Sequence, residues 1–252
     1  MKTPTLAVLM CAHNSEAHIS EAIESVLNQT YKDFEFIVVE NGGSTDRTWE
    51  IIAGYRDSRI KAFRTAISLL SYNLNFGMTQ TGASLVARMD SDDVSAPTRL
   101  ERQLQHFIEY PDTAVLGTAV ECFGNGGTRR VTTPLLTNSE IRGSLPFRNP
   151  FSHPSVMFRR DIVLHHRGYE YGRYSQDYDL WIRLSRDPSV RFANLKEPLL
   201  QYRLHPGQAR GSREAYVTMA GLLLREALWR KSLMYWLGTL LAMLKVLFFS
   251  SK

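Results

Sequence analysis

Three carboxylates lie within four consecutive positions, in the run Asp90-Ser91-Asp92-Asp93. Carboxylates this close repel one another, so they are costly unless a cation or hydrogen-bond donors compensate them. Mg²⁺ and Mn²⁺ suit such a run, because they bind a few carboxylates together with substrate phosphates. The alternative is a helix N-terminal cap, where acidic residues are also favoured. The next helix is expected near Pro97, so capping can account for Asp93 but not for all three residues, and we favour the metal site.

A second acidic pair, Asp177 and Asp179, stands at the predicted start of a helix. Residues two positions apart do not share a helix face, so only one of them can point to a given site. An isolated aspartate there is more often a cap than a general base, and the pattern alone leaves both roles open. His205, in the loop 202–206, can be a metal ligand through its neutral imidazole or a simple surface group.

Several familiar phosphate-binding and hydrolase motifs do not occur in this sequence. The absence of Gly-x-Gly-x-x-Gly and of a Gly-Lys-Ser/Thr loop argues against a nicotinamide enzyme and a P-loop hydrolase. The absence of Gly-x-Ser-x-Gly argues against a serine hydrolase. We therefore expect any bound phosphate to be held mainly through a metal ion.

The acidic run follows one strand of a predicted α/β pattern. Short apolar runs predict strands at 5–11, 34–39, 60–63 and 85–89, with amphipathic helices between them. This alternation predicts a mostly parallel sheet flanked by helices, whose ligands bind beyond the carboxyl ends of the strands. Polar residues follow three of these strands, namely His13 and Asn14, Glu40 and Asn41, and the run 90–93. We therefore expect one crevice that all three strand ends line.

The composition is that of an ordinary globular protein, with 44% hydrophobic residues in a chain of 252. Two cysteines, Cys11 and Cys122, do not make a disulfide framework or a cysteine-rich zinc site. No run near the start is typical of a signal peptide, so we expect a cytoplasmic protein. The body lacks the basic stripe with interleaved aromatic residues that binds nucleic acid, and no nucleic-acid partner is expected.

In chain order, nine runs resemble family 2 inverting glycosyltransferases of the bacterial polysaccharide-biosynthesis type. They are His13-Asn14, EAIESVLNQT (21–30), VENGGSTD (39–46), ARMDSDD (87–93), PTRL (97–100), Asn149-Pro150, HPSVMFR (153–159), QDYDLW (176–181) and YRLHP (202–206). Together they span about residues 4–207 and are jointly very specific, whereas the chain after about Arg213 is not covered.

The resemblance implies a GT-A fold, which is a Rossmann-like sheet flanked by helices, with a nucleotide-sugar donor and a divalent metal, Mn²⁺ or Mg²⁺. The residues that it implies around the donor are Cys11, His13, Asn14, Glu40, Asn41, Arg88, Asp90 and Ser91. The residues that it implies near the acceptor or in support are His153, Gln176, Tyr178, Asp179 and Trp181. Within the donor set, His13 would stack on the nucleobase, Asn41 or Glu40 would contact its edge, and Asp90 would lie near the ribose.

The same resemblance makes Asp92 the ligand of a metal that bridges the diphosphate, with His205 able to approach it. Asp177 matches the family's catalytic base. A metal on the diphosphate would neutralise the charge that develops on the leaving group. A carboxylate on the opposite side of the anomeric carbon would deprotonate the attacking hydroxyl, and a single displacement inverts the configuration.

Three positions depart from the family's usual pattern. The usual Asp-Asp-Gly-Ser stretch reads ENGGS (40–44), Gln176 replaces a common Glu, and His13 replaces a common Tyr. None of them removes Asp90, Asp92 or Asp177, so we expect an active enzyme.

The end of the chain is both basic and apolar. The chain's net charge of +5 comes from residues 199–252, which contain eight Lys and Arg and two acidic residues, whereas the rest of the chain is nearly neutral. Residues 233–249 are apolar except Thr239 and Lys245, and the uncharged stretch 232–244 is shorter than the roughly 20 residues of a membrane span. We expect an interfacial helix on the inner face of the plasma membrane, with basic residues at the headgroups. The alternative is a helix packed on the body or in a dimer interface.

These observations predict a GT-A domain over 1–212, with a nucleotide-binding half (1–110) and an acceptor-binding half (111–212), followed by a helical tail (213–252). The leading hypothesis is a metal-dependent inverting glycosyltransferase. It would move a sugar from a nucleotide-sugar donor, with a UDP-sugar favoured, to a glycan or polyprenyl-linked acceptor in cell-surface polysaccharide synthesis. The alternatives are a nucleotidyltransferase and a catalytically degenerate, membrane-associated module that binds nucleotide sugars.

Overall fold

One mixed β-sheet with helices on its faces organises the chain. The structure, a computed structural model, describes residues 6–124, 129–170, 172–205 and 212–248. The strands are β1 (Leu6–Ala12), β2 (Glu35–Asn41), β3 (Ile60–Thr65), β4 (Leu85–Asp90), β5 (Val94–Ser95), β6 (Thr113–Gly124), β7 (Arg130–Val131), β8 (Met157–Arg159) and β9 (Arg191–Leu204). The helices are α1 (Ile19–Leu27), α2 (Thr48–Gly54), α3 (Leu70–Thr79), α4 (Arg99–Glu109), α5 (Asn138–Ser144), α6 (Arg160–His165), α7 (Gln176–Leu184), α8 (Arg213–Arg230) and α9 (Leu233–Leu247).

The strand order is β3-β2-β1-β4-β8-β6-β9-β5, with β7 added to β6. The first four strands of this order are parallel, as the alternating pattern predicts. β8 is antiparallel to both β4 and β6, while β9 is parallel to β6 and antiparallel to β5. The predicted α/β fold is confirmed, and the sheet is mixed because the short strand β8 reverses direction between the two parallel parts.

The strands that carry the predicted crevice are deeply buried. Every residue of β1 is buried, which agrees with an apolar run that helices cover on both faces. The helix α1 buries the apolar positions that its spacing predicts, which are Ile19, Ala22, Ile23, Val26 and Leu27. This packing fixes β1 and its neighbours rigidly, so that the polar residues at their ends are well positioned.

The tail helices α8 and α9 pack on each other and on the body. Their residues Leu223, Ala227 and Tyr235 are buried in the same hydrophobic core as Tyr178 and Trp181 of α7. One face of the tail is therefore packed on the body, as the alternative to membrane contact proposes. The other face remains exposed, with Leu233 84% and Phe248 82% accessible. None of the helices in the described ranges is long and apolar enough to cross a membrane.

Candidate active site

Three strand ends meet at one edge of the sheet, as the sequence predicts. β1 lies between β2 and β4, and Cys11 is in register with Val39 on one side and Asp90 on the other. The loop after β1 also contacts the acidic run directly, because Ser15 Oγ lies 2.7 Å from Ser91 Oγ. The chain segments that follow β1, β2 and β4 therefore surround one crevice.

The acidic run forms a compact cluster. Single carboxylate oxygens of Asp90, Asp92 and Asp93 lie within 4.8 Å of one another. Asp93 is buried, and its Oδ1 accepts a hydrogen bond of 2.8 Å from the N–H of Arg203, while its Oδ2 has no partner among the described residues. Burial and the neighbouring charge of Asp90 raise the pKa of Asp93 to about 8. A divalent cation would supply the missing partner and compensate the charge, so the residues fit the metal that the sequence implies.

The alternative of a helix cap is wrong for Asp93. The N-cap position of α4 is Thr98, and no side chain caps that helix. Asp93 contacts the backbone of β9 instead. The sequence analysis assigns no separate role to Asp93. Its position in the acidic run was nevertheless enough to indicate a place in the cluster.

His205 lies beside Asp92, although 113 residues separate them in sequence. Its Nε2 is 3.0 Å from Asp92 Oδ2. The long strand β9 brings it there, and Arg203 on the same strand donates from Nε to the Asp92 carbonyl oxygen at 2.7 Å. Asp92 and His205, which the family resemblance implies as metal ligands, therefore lie next to each other in the crevice.

Arg88 is a buried cation between the two acidic parts of the site. It forms an ion pair with Asp90. Burial alone would lower the pKa of Arg88, but the charge of Asp90 and the hydrogen bond to it outweigh burial and raise it. Arg88 also lowers the pKa of Asp177, so its charge acts on the metal-type cluster and on the proposed base together.

Asp177 is the second residue of α7, and it is half-buried. Asn149 Nδ2 donates a hydrogen bond of 2.6 Å to its Oδ2. Burial raises the pKa of Asp177, and this effect outweighs the hydrogen bond from Asn149, the N–H of Tyr178 and the charge of Arg88, which all lower it. A carboxylate with a raised pKa in a crevice is suited to general-base chemistry.

At the nucleotide end, Asn41 lines a cavity of about 440 Å³ together with Ser68, Leu69, Leu70 and Arg173. His13 is exposed at the end of β1. Asn41 is half-buried, and the contacts of both residues with a nucleobase stay predictions.

Glu40 and Asn14 instead hold the surrounding loop. Glu40 is fully buried, and it accepts hydrogen bonds from the N–H of Ser44 at 3.0 Å and from Arg64 Nε at 2.8 Å. Asn14 Oδ1 accepts from the N–H of Thr45 at 2.9 Å. Glu40 is therefore engaged in structural contacts, and Asn41 Oδ1 also accepts a hydrogen bond, from Asn73 Nδ2.

The glycine pair in this loop has a structural reason. Gly42 and Gly43 have φ of +45° and +79°, a region that side chains disfavour. A Cβ on Gly42 would also lie 2.9 Å from the backbone of Ala66 and Ile67.

Four of the remaining implied residues, Cys11, His153, Gln176 and Tyr178, are buried or half-buried. His153 Nε2 lies 2.9 Å from the hydroxyl of Tyr169, and burial together with the charge of Arg88 holds its pKa well below the usual value. Gln176, half-buried, begins α7. Cys11 is buried at the end of β1, and burial raises its pKa to about 12. Tyr178 donates its hydroxyl to the Leu145 carbonyl.

Asp179 and Trp181 are core residues of α7. Asp179 is buried and pairs with Arg183 at 2.7 Å and with Arg225 at 2.8 Å. Trp181 is fully buried and packs edge-on against Phe151. Among the described residues, neither side chain forms a hydrogen bond or ion pair with Asp177 or the acidic cluster. Asn149, by contrast, contacts Asp177 although only its place in a motif, and no role, was predicted.

This combination of a Rossmann-like sheet, an acidic cluster at the strand ends and a half-buried carboxylate at the start of α7 is the arrangement of a GT-A glycosyltransferase. The chain belongs to Glycosyl transferase family 2, whose sequence profile matches residues 7–168. The family resemblance and the assignment as a glycosyltransferase are thereby confirmed, and the nucleotidyltransferase alternative is not supported.

Two relatives in Escherichia coli are informative. The O-antigen biosynthesis glycosyltransferase WbnJ is 37% identical over 245 residues, which are 96% of this chain and 96% of WbnJ. The UDP-Gal:alpha-D-GlcNAc-diphosphoundecaprenol beta-1,3-galactosyltransferase is 31% identical over 186 residues, which are 72% of this chain and 68% of the relative.

Solved structures show the same fold at low identity. Staphylococcus aureus TarS (1–349) in complex with UDP-GlcNAc matches with a TM-score of 0.69 and 19% identity, over 87% of this chain and 66% of the TarS chain. The mannosyltransferase PcManGT of Pyrobaculum calidifontis, in complex with GDP-Man and Mn²⁺, matches with a TM-score of 0.64 and 14% identity. That match covers 92% of this chain and 66% of PcManGT, so this chain spans about two thirds of each structure.

Proposed function

We propose that this protein is a metal-dependent, inverting glycosyltransferase that transfers a sugar from a nucleotide-sugar donor to a glycan or polyprenyl-linked acceptor in cell-surface polysaccharide synthesis. The observation that carries the proposal is the cluster of Asp90, Asp92 and Asp93, with a buried oxygen that lacks a partner among the described residues and with His205 beside it. Such a cluster fits a hard divalent cation that also binds phosphate oxygens.

The chain's own residues account for the remaining chemistry. Asp90, Asp92, Asp93 and His205 would hold the ion, which when bound supplies positive charge to the diphosphate leaving group. Asp177 takes the proton of the acceptor hydroxyl as that oxygen attacks the anomeric carbon. Attack from the side opposite the leaving group gives one displacement and an inverted product.

Known proteins of the same fold and family support a UDP-sugar and a lipid-linked acceptor. TarS is in complex with UDP-GlcNAc, and one E. coli relative carries UDP-Gal and a diphosphoundecaprenol-linked sugar in its name. WbnJ, with 96% of both chains aligned, is named for O-antigen biosynthesis. The GDP-Man complex of PcManGT makes GDP-sugars the necessary comparison in any donor assay.

The exposed face of the tail supports a peripheral position on the inner membrane surface. It presents Leu233, Trp236, Leu247 and Phe248, and 14 of the 21 large hydrophobic side chains that are exposed in the described residues lie in the tail, between Val217 and Phe248.

 

Tryptophan and leucine on one face suit the interface between headgroups and acyl chains. The exposed Lys231 and Lys245 lie on the same two-helix unit and favour an anionic surface. Sedimentation with phosphatidylglycerol vesicles tests this, because Trp236→Glu should abolish binding, whereas binding that survives the change would refute it.

The catalytic proposal is tested with a panel of UDP- and GDP-sugars, in Mn²⁺ or Mg²⁺ and in chelator. We expect one donor to turn over only with metal. Asp92→Asn should lose metal-dependent donor binding, while Asp177→Asn should keep binding and lose transfer. Asp112→Asn, an exposed aspartate, is the matched control and should behave as wild type.

The anomeric configuration of the product, read by NMR, tests the inverting mechanism. A product that retains the donor's configuration would contradict the role of Asp177 as a base. Binding of a donor without turnover under every metal condition would instead favour the catalytically degenerate module, and failure to bind any donor would refute the proposal.

A further inference from the structure

The side-chain amide of Asn149 has a fixed orientation beside Asp177. Its Oδ1 accepts a hydrogen bond of 3.2 Å from the N–H of Phe151. Its Nδ2 donates a hydrogen bond of 2.6 Å to Asp177 Oδ2. An amide carries its acceptor and its donors on opposite arms, so a flip would lose both bonds. The backbone of Phe151 therefore determines that a donor faces Asp177.

Several other groups face Asp177 from the elements around it. Arg88 acts on it from β4, and the N–H of Tyr178 acts on it from α7. The phenol groups of Tyr169 and Tyr178 lie close enough for Asp177 to raise their pKa values. Among these groups, Asn149 provides an uncharged side-chain donor whose direction is set by a second hydrogen bond.

We propose that Asn149 is a positioning residue, which holds Asp177 Oδ2 and so directs Asp177 Oδ1 to the acceptor hydroxyl. This inference rests on the proposed function, in which Asp177 is the general base. In that reaction the acceptor oxygen bonds to the anomeric carbon as the bond from that carbon to the diphosphate breaks. The hydroxyl proton passes to Asp177, and the nucleoside diphosphate leaves with the electron pair.

Asn149→Asp replaces the donor by an oxygen that carries negative charge when the new side chain is ionised. The new carboxylate has nearly the shape of the amide and retains an oxygen for the N–H of Phe151. The oxygen that replaces Nδ2 would face Asp177 Oδ2, and two carboxylates at this separation do not ionise together easily. We therefore expect the acidic limb of the pH profile of kcat/KM to move up by about one pH unit or more.

Asn138→Asp is the matched control. Asn138 Oδ1 also accepts from a backbone N–H, that of Phe192 at 3.1 Å, and has no described contact with Asp177. A merely structural role of Asn149 would lower the rate by the same factor at every pH, as a partly unfolded sample does. Melting temperatures of both variants identify such a loss of folding.

A second readout does not depend on turnover. In protein labelled with ¹³C at aspartate carboxyl groups, the signal missing from Asp177→Asn identifies Asp177. Asn149→Ala should raise the pH at which this signal titrates by about one unit, because a hydrogen bond to the charged form is lost. An unchanged titration in Asn149→Ala, or an unmoved acidic limb in Asn149→Asp, would overturn the inference.

The two proposals fail in different ways. If Asp177→Asn transfers sugar as fast as wild type, the proposed base is wrong, whatever Asn149 does. If Asp177→Asn is inactive but the variants of Asn149 leave the titration unmoved, the proposed function stands and the positioning role is wrong.

Discussion

At Gly238 the tail helix α9 packs closely against the body. A Cβ at this position would lie 1.8 Å from the carbonyl oxygen of Pro146, a distance that no side chain tolerates, so Gly238→Ala forces backbone to move. Gly221 on α8 provides the comparison, because a Cβ built there meets nothing within 4 Å apart from its chain neighbours and the adjacent backbone of its own helix. Both glycines are inside helices, so the pair of variants separates packing from helix propensity.

The two substitutions are expected to change the free energy of unfolding in opposite directions. Replacing glycine by alanine inside a helix gains about 0.5–1 kcal/mol. Gly221→Ala should gain this amount in full. Gly238→Ala gains the same propensity but adds an overpacking cost of about 1–3 kcal/mol, because the opposing atom belongs to the backbone. At the middle of both ranges, the net expectation for Gly238→Ala is a loss of about 1 kcal/mol.

Thermal unfolding followed by circular dichroism measures the difference. In a protein of this size 1 kcal/mol corresponds to about 2–4 °C, so the melting temperature should rise slightly in Gly221→Ala and fall by several degrees in Gly238→Ala. Equal stabilisation of both variants would show that α9 does not rest on Pro146.

Three further results are expected. Glu226 is fully buried among three guanidinium groups, so Glu226→Gln should lower the free energy of unfolding by about 3–5 kcal/mol in urea titrations. Glu214→Gln, at an exposed position of the same helix, should change the free energy of unfolding little, and equal effects of the two changes would contradict this. Because the base must be ionised and burial raises the pKa of Asp177, transfer should decline with falling pH before an ordinary aspartate at about 3.9 would protonate, and a pH–rate profile flat down to pH ~4 would refute it. Burial raises the pKa of Cys11 to about 12, so iodoacetamide should label it only after unfolding, and rapid labelling of the folded protein by mass spectrometry would count against its burial.

The sequence predicts the half of the fold that depends on local patterns. Short apolar runs identify β1, β2 and β4, and the polar residues after them lie at one edge of the sheet. The parallel pairing follows from the alternation of strands and helices. The reversal at β8 could not be predicted this way, because that strand has only three residues and lacks a periodic pattern.

Residue type alone does not separate binding residues from structural ones. Glu40 and Asp179 are both acidic residues in family motifs, yet each is buried in contacts with arginine. Asn149 is the reverse case. An asparagine before a proline predicts only a turn, yet this side chain contacts Asp177, 28 residues away. Only the three-dimensional contacts distinguish these cases.

The tail and the proposed base are mechanically linked through α7. Asp177 lies at the start of this helix, and two residues later Asp179 pairs with Arg225 of α8 at 2.8 Å. Glu226 of α8 also pairs with Arg230, so two of the tail's arginines are engaged within the protein. Fewer cations are then left for lipid headgroups than the sequence suggests, and membrane binding should depend more on apolar area than on charge. It follows that added salt should weaken vesicle binding only modestly, whereas loss of the tail's packing should disturb the helix that carries Asp177.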